Sequence, residues 1–388
     1  MKKKICFLWG LLVVVVSCGN KKTQDLYSLQ PANTYLNFSI DNDTRLPRYC
    51  LWTFEEKGKE YLCFPNIGRE ILFYSIEDEK MVKKVVYQTE GDHGVGMIDG
   101  FFPVDFNHIY IASSSLPVIY ATDSTGQIKS KVEYYETTDK QSLVPALINT
   151  ITYSPMFFLG DSLYLPQTIN SRLGDHFISE SPLGVVINLS NKKITTTPLK
   201  FALEINDLRE LPYSTTAGKV STCFDGEKFI YSDEMQDSIV CMSRNFKTMT
   251  KFLAKSKYMK HPKSEVLSSD ATIDEIIKRK CELPTYGNLI YDKYRQVYYR
   301  FVFPEVSVDD EKNFMDIYHN GRKQFSIIIL DKKMNMVGET LFPEYCFNPY
   351  LFFVNEDGLY ISISHFKRPD FNENTLRFQK IELLSLSN

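Results

Sequence analysis

Leu159-Gly160-Asp161-Ser162-Leu163-Tyr164-Leu165 decides the fold, because its pattern of a hydrophobic run, a tight polar turn and a tyrosine-centred strand recurs along the chain. Comparable stretches lie at 59–64, 107–111, 227–231, 295–299 and 357–361. Each centres on an apolar position: Tyr61, Tyr110, Ile230, Tyr298 and Tyr360, equivalent to Tyr164. On either side of each stretch the sequence offers further short alternating segments, parted by Asn, Asp and Gly turns, and the set reads as a four-stranded meander. Units begin near residues 49, 100, 153, 220, 289 and 350. A meander repeated at blade-sized intervals is the pattern of a β-propeller, whose units bury their faces only against their neighbours.

The expected fold is therefore all-β, a six-bladed propeller of four-stranded antiparallel blades occupying residues 27–388 as one domain. Its last unit supplies three strands only, while Tyr35, Leu36, Phe38 and Ile40 form a strand with no hairpin partner nearby. If the N-terminal strand completes the last blade, both leftovers disappear and the ring closes. Two tandem sandwiches would predict neither. One helical insertion is expected near 269–281: Ser269 and Asp270 offer a cap, Thr272 and Glu275 have capping-box spacing, and Ile273, Ile276 and Ile277 form an apolar stripe. Residues 143–148 could add another turn.

The chain has 388 residues, of which 43% are hydrophobic and 14% aromatic, with 24 Tyr and 27 Phe, a composition suited to half-buried pleated strands. Its formal charge of −3 is scattered, which excludes a basic nucleic-acid surface. The first residues set the compartment. Lys2, Lys3 and Lys4 precede a mostly apolar run at 5–16, and Val15-Val16-Ser17-Cys18 follows. This segment resembles a bacterial lipobox. The resemblance implies a signal peptide over 1–17, lipid on Cys18 and a lipidated tether at 18–26. Gly19 in place of Asp favours transfer to the outer membrane, with periplasmic and surface facing both open.

Six cysteines remain beyond Cys6 and Cys18: Cys50, Cys63, Cys223, Cys241, Cys281 and Cys346. None has Cys-x-x-Cys spacing, so zinc and thioredoxin-like chemistry lack support. Cys50 and Cys63 flank the turn at 55–60; they are either bridged or buried as small hydrophobes.

A meander places its first-to-second and third-to-fourth turns on one face. All long segments then fall on the other: 88–97, 136–150, 166–184, 200–218, 255–287, 304–324 and 365–375. Long loops on a rigid scaffold are where binding resides, so function is expected on that face. The candidate residues there are Asp92 and His93 between two glycines; Arg172, Asp175 and His176; His319 and Arg322, with Lys323; and His365 and Arg368, with Lys367. Recurring cations could converge on a carboxylated or phosphorylated ligand near the channel, the alternative being a solvated rim. Asp309, Asp310, Glu311 and Asp316 give weak grounds for calcium, since the spacing of a calcium loop is missing; no cofactor is expected. No nucleophile elbow, zinc-helix or phosphate-loop sequence occurs.

Taken together, Val15 to Cys18, the six meanders and the terminal closure resemble the TolB-like six-bladed propeller lipoproteins of Gram-negative bacteria, with NHL-type propellers as structural neighbours. That resemblance implies a cell-envelope lipoprotein held at the membrane by Cys18, and carries no catalytic signature. The leading expectation is a non-catalytic binding or scaffolding protein acting through the long-loop face on an envelope protein or glycan. The alternative is a propeller hydrolase or lyase acting on a sugar, lactone or peptide, with calcium as its one candidate cation, on fold analogy alone.

Overall fold

A computed structural model describes residues 25–386 apart from 99, 114, 146–150, 171, 172, 174–176, 203–207 and 217. Alternating apolar segments form six separate four-stranded antiparallel sheets. The first blade comprises β2 (Trp52–Glu56), β3 (Lys59–Asn66), β4 (Glu70–Ser75) and β5 (Lys80–Val86). The second comprises β6 (Phe101–Asp105), β7 (His108–Ala112), β8 (Val118–Thr122) and β9 (Ile128–Glu133). In the third, β10 (Phe157–Phe158) is a two-residue inner strand, followed by β11 (Ser162–Pro166), β12 (Gly184–Asn188) and β13 (Ile194–Thr196). The fourth runs through β14 (Val220–Phe224), β15 (Lys228–Asp233), β16 (Ser238–Ser243) and β17 (Met249–Leu253). The fifth runs through β18 (Thr285–Asp292), β19 (Val297–Phe303), β20 (Ser326–Leu330) and β21 (Met336–Leu341).

The sixth blade has the order β1-β24-β23-β22, where β1 is Tyr27–Ser39, β22 Asn348–Val354, β23 Leu359–Ser362 and β24 Thr375–Ser385. The N-terminal strand thus closes the ring, pairing from Tyr27↔Ser385 to Ser39↔Thr375 with one bulge between Pro31 and Tyr35. Two inward residues fix it in both neighbouring seams. Leu29 enters the core between the fifth and sixth blades, and Phe38 enters the core between the sixth and first, edge-on to Tyr74 and Phe378. At Gly338 a Cβ would lie 2.1 Å from the carbonyl oxygen of Tyr27, so the closing strand requires a residue without a side chain there.

The recurring positions occupy one register. Tyr61 pairs with Phe54, Tyr110 with Phe102, Tyr164 with Phe157, Ile230 with Cys223, Tyr298 with Tyr291, and Tyr360 with Phe353. Two of these cross-strand pairs stack, Phe54 with Tyr61 at 5.4 Å and Phe353 with Tyr360 at 5.0 Å, while Phe157 with Tyr164 and Tyr291 with Tyr298 meet at a tilt. Tyr164 is fully buried over Gly184, where a Cβ would meet its ring at 2.7 Å. The stretch that reveals the fold is thus a packing element.

Helix is confined to the long connections. A single turn, α1 (Phe177–Glu180), lies between β11 and β12; α2 is Ile273–Glu282 and α3 is Phe314–His319. The N-cap of α2 is Thr272, in a capping box with Glu275, whereas Ser269 and Asp270 precede the helix. Its buried apolar residues are Ile276, Ile277 and Cys281, while Ile273 is 69% exposed and leaves the apolar stripe. Ile277 and Cys281 pack on Val308 and Ile317, so α2 buttresses α3, a helix that falls within the long 304–324 connection. The expected turn at 143–148 lies partly outside the described residues. Among the described residues no helix is long and apolar enough to cross a membrane.

None of the six described cysteines is in a disulfide. Cys50 and Cys63 sit in one core cluster, and burial pushes the Cys63 thiol well up, which keeps it protonated and inert.

Candidate functional site

On the long-loop face, the innermost strands begin around a cavity of about 470 Å³. Tyr49 precedes β2, Tyr153 precedes β10, Lys219 precedes β14, and Asn288 and Tyr350 stand in β18 and β22. The β11–β12 connection adds Gln167, Thr168 and Ile169, while α3 brings Tyr318 and His319 over the rim. The walls are mainly apolar and aromatic, the usual character of a small-molecule site.

One polar pair stands out within those walls. The Lys219 ammonium donates to the Tyr318 hydroxyl at 3.3 Å and lies 5.7 Å from its ring centre. The lysine backbone is clamped by Glu234: its N–H donates to the carboxylate at 3.0 Å, and its carbonyl accepts from the Glu234 N–H at 3.1 Å. The same carboxylate accepts from the hydroxyl of Thr216, so the lysine rises from a fixed base. The Tyr318 phenol oxygen holds Lys219 above the usual lysine range, and Lys219 in turn pulls the phenol below its usual range, helped by Lys280 and Arg322. His319 is held below the ordinary imidazole value by burial first and then by the charge of Arg48, against a smaller opposing effect of Asp316.

Of the candidates read from the sequence, His319 lines the cavity. Arg172, Asp175, His176 and Cys18 lie outside the described residues. Asp92 and His93 are exposed in the connection between the first two blades and do not line the cavity. Arg322 turns inward: with a φ of 64°, it sends Nη1 to the Leu283 carbonyl at 2.8 Å and lays its guanidinium over Phe303. Arg368 is paired with Asp370, which also holds Arg377, and donates to the Cys346 carbonyl. Both arginines tie loops to the body.

His365 is fully buried between Tyr345 and Phe366. Its Nδ1 accepts from the Lys367 N–H at 3.2 Å, which fixes the neutral tautomer with Nε2 donating to the Arg322 carbonyl. Burial lowers its pKa to about 4, with Lys367 and Arg368 adding to the effect. Since an unfolded imidazole titrates near 6.5, only the unfolded chain takes up this proton between the two values. The stability contribution is complete above about pH 6.5 and is lost as pH falls towards 4, on the order of 3 kcal/mol in all. Urea unfolding at pH 7.5 and pH 5 should show a smaller acid-induced loss in His365→Gln than in the unsubstituted protein. The difference is the quantity to read, because Asp233, raised to about 6 by burial, works in the opposite sense in both proteins. Equal losses would contradict the assignment.

The acidic stretch does not gather. Asp309 bonds Lys278 and Ser307, Glu311 bonds Lys367 and the Tyr345 hydroxyl, and Asp316 serves the N-terminus of α3. Among the described residues no three His, Cys, Asp or Glu side chains converge as a metal site.

The fold and cavity define a class: a closed six-bladed propeller with a small-molecule-sized cup at one mouth of its channel. Within that class, the chain belongs to the family described as a domain of unknown function, DUF4221, whose family model matches residues 27–341. A crystal structure of a DUF4221 member from Bacteroides vulgatus is similar at a TM-score of 0.77 and 24% identity, covering 93% of this chain and 99% of that one. A protein of Bacteroides fragilis described as exported is similar at a TM-score of 0.52 and 10% identity, covering 92% and 96%. Among curated proteins none matches.

Sequence reasoning missed Lys219 and Tyr318. Lys219 sits in no motif, and its only signal is its place immediately before the inner strand of a blade.

Proposed function

We propose that this protein is a cell-envelope lipoprotein of the TolB-like kind, anchored at the outer membrane through Cys18, that binds its ligand without transforming it at the long-loop mouth of the channel. The observation that carries the reading is the cavity itself, whose wall is assembled from several blades and α3 around a fixed lysine. The leader at 1–17 supports envelope placement, as does likeness to a protein described as exported. A hydrolase or lyase reading draws on Tyr318, whose phenol is held below its usual range by Lys219 and so is suited to donate a proton.

Native mass spectrometry separates the two. The mature chain and a Val220→Trp variant, which fills the cavity, are each incubated with an envelope metabolite extract. A mass retained by the former, absent from the latter and released unchanged supports binding. Release of an altered mass supports the enzyme, and no difference between the proteins removes the cavity from function. In cells, Cys18→Ser should move the protein from the membrane fraction to the soluble one.

A further inference from the structure

We infer that the cavity takes a ligand with a single carboxylate on a flat apolar body, anchored by the Lys219 ammonium and the Tyr318 hydroxyl. This rests on the binding reading and specifies its ligand.

The first ground is a missing counter-charge. Lys219 has Tyr318 as its side-chain hydrogen-bond partner, and among the described residues no carboxylate lies within ion-pair distance of its ammonium. Glu234, the nearest acid by connectivity, is spent on the Lys219 and Thr216 donors described above. A partly buried ammonium in a mainly apolar cup has lost much of its water, and an arriving anion restores what it lost. Tyr318 accepts from Lys219, and its own O–H has no acceptor among the described residues. Two donors therefore stand 3.3 Å apart on one wall, a spacing that suits the two oxygens of a carboxylate.

The surrounding field leans positive at the lysine end. Arg48 acts on His319, while Lys280 and Arg322 act on Tyr318; the opposing acids are Asp316 towards His319, Glu234 towards Lys219, and Glu234 with Asp233 towards Tyr153, where Arg300 offsets them. An excess of cations at a mouth with low-dielectric walls draws anions in.

The number of charges follows from the donors. One ammonium matches one negative charge, the Asn288 amide is engaged with the Pro349 carbonyl, and His319 is held towards its neutral form. A phosphate dianion would be left partly unmatched. Tyr49, Tyr153, Phe201 and Tyr350 supply aromatic wall for a planar body instead.

Isothermal titration of the mature chain with 4-biphenylcarboxylate and its neutral isostere 4-biphenylcarboxamide tests this. The acid should bind about tenfold or more tightly than the amide, and its affinity should fall with added salt. Lys219→Met should bring the two together, and Tyr318→Phe should narrow the gap. Equal binding of acid and amide to the unsubstituted protein overturns the inference, as does an acid preference that survives Lys219→Met, or failure of the acid to bind. The acid–amide comparison needs no variant, so a misfolded substitution cannot shelter the idea. If both compounds bind equally and Val220→Trp abolishes both, the binding reading stands and the carboxylate assignment falls.

Discussion

A chain that begins at Ile40, lacking β1, is expected to lose its cooperative unfolding transition. β1 is the outer strand of the sixth blade, and without it β24 presents an unpaired edge while two seams lose their fillers. Leu29 is 1% exposed and Phe38 is fully buried, one in each seam, so the deletion opens the ring on both sides of that blade. Phe38→Ala alone should cost about 3–5 kcal/mol, the range for deleting a buried phenylalanine. Near-ultraviolet circular dichroism and urea titration would report both. A synthetic peptide spanning 27–39 should restore the signal when added to the truncated chain, because the strand is held by pairing and side chains and needs no covalent continuity there. Wild-type melting in the truncated protein would show that closure is dispensable.

Arg300→Met should be nearly as damaging, although it removes a charge from the protein interior. Arg300 is fully buried in β19 of the fifth blade and reaches into the fourth. Nε donates to Ser232 at 2.9 Å; Nη1 to the Ala254 and Asp237 carbonyls at 2.8 and 3.3 Å; Nη2 to the Gln236 and Asp233 carbonyls at 2.6 and 3.5 Å. The guanidinium centre lies 3.4 Å from the centre of the Tyr286 ring. Burial lowers its pKa to about 10, so it remains charged at neutral pH. Dipoles of backbone carbonyls, oriented by the β15–β16 turn, replace the water it has lost. Methionine would leave those carbonyls buried and unpaired, at an expected cost of about 3–5 kcal/mol. Lysine should rescue little, since an ammonium cannot span the fork of acceptors or lie flat on Tyr286. Urea unfolding free energies decide the matter: Arg300→Lys within about 1 kcal/mol of the parent would mean that charge alone suffices. The same turn carries Glu234, so Arg300 also steadies the base on which Lys219 stands.

The fold was legible because blade packing is written in every unit: the tyrosine-centred second strand recurs, and its cross-strand partner keeps one register. The closing strand was legible as an imbalance, one strand spare at one end and one lacking at the other. The long-loop face followed from meander geometry. Individual site residues did not, for two physical reasons. Lys219 and Tyr318 meet only in space, from different blades, and neither carries a local pattern. His319, Arg322 and Lys323 looked like one group in sequence, yet the six-residue helix α3 ends between them and the left-handed backbone at Arg322 turns that side chain into the body. His365 misled for a related reason. Its composition is that of a ligand, but full burial with Nδ1 occupied by a backbone N–H makes it a packing residue.

The pairing of the termini also sets the molecule's attitude. Tyr27 pairs with Ser385, where β24 ends on the short-turn side, and Ser39 pairs with Thr375, on the long-loop side. A tether leading into Tyr27 therefore departs from the floor of the cup, opposite its mouth. With lipid on Cys18, a fully stretched leash over 18–26 reaches about 30 Å. On the proposed anchoring, the protein would stand like a goblet on its foot, with the bilayer beneath and the rim turned away. Ligand would then reach Lys219 from the aqueous side, and a membrane-bound partner would have to extend past the propeller to meet the same opening.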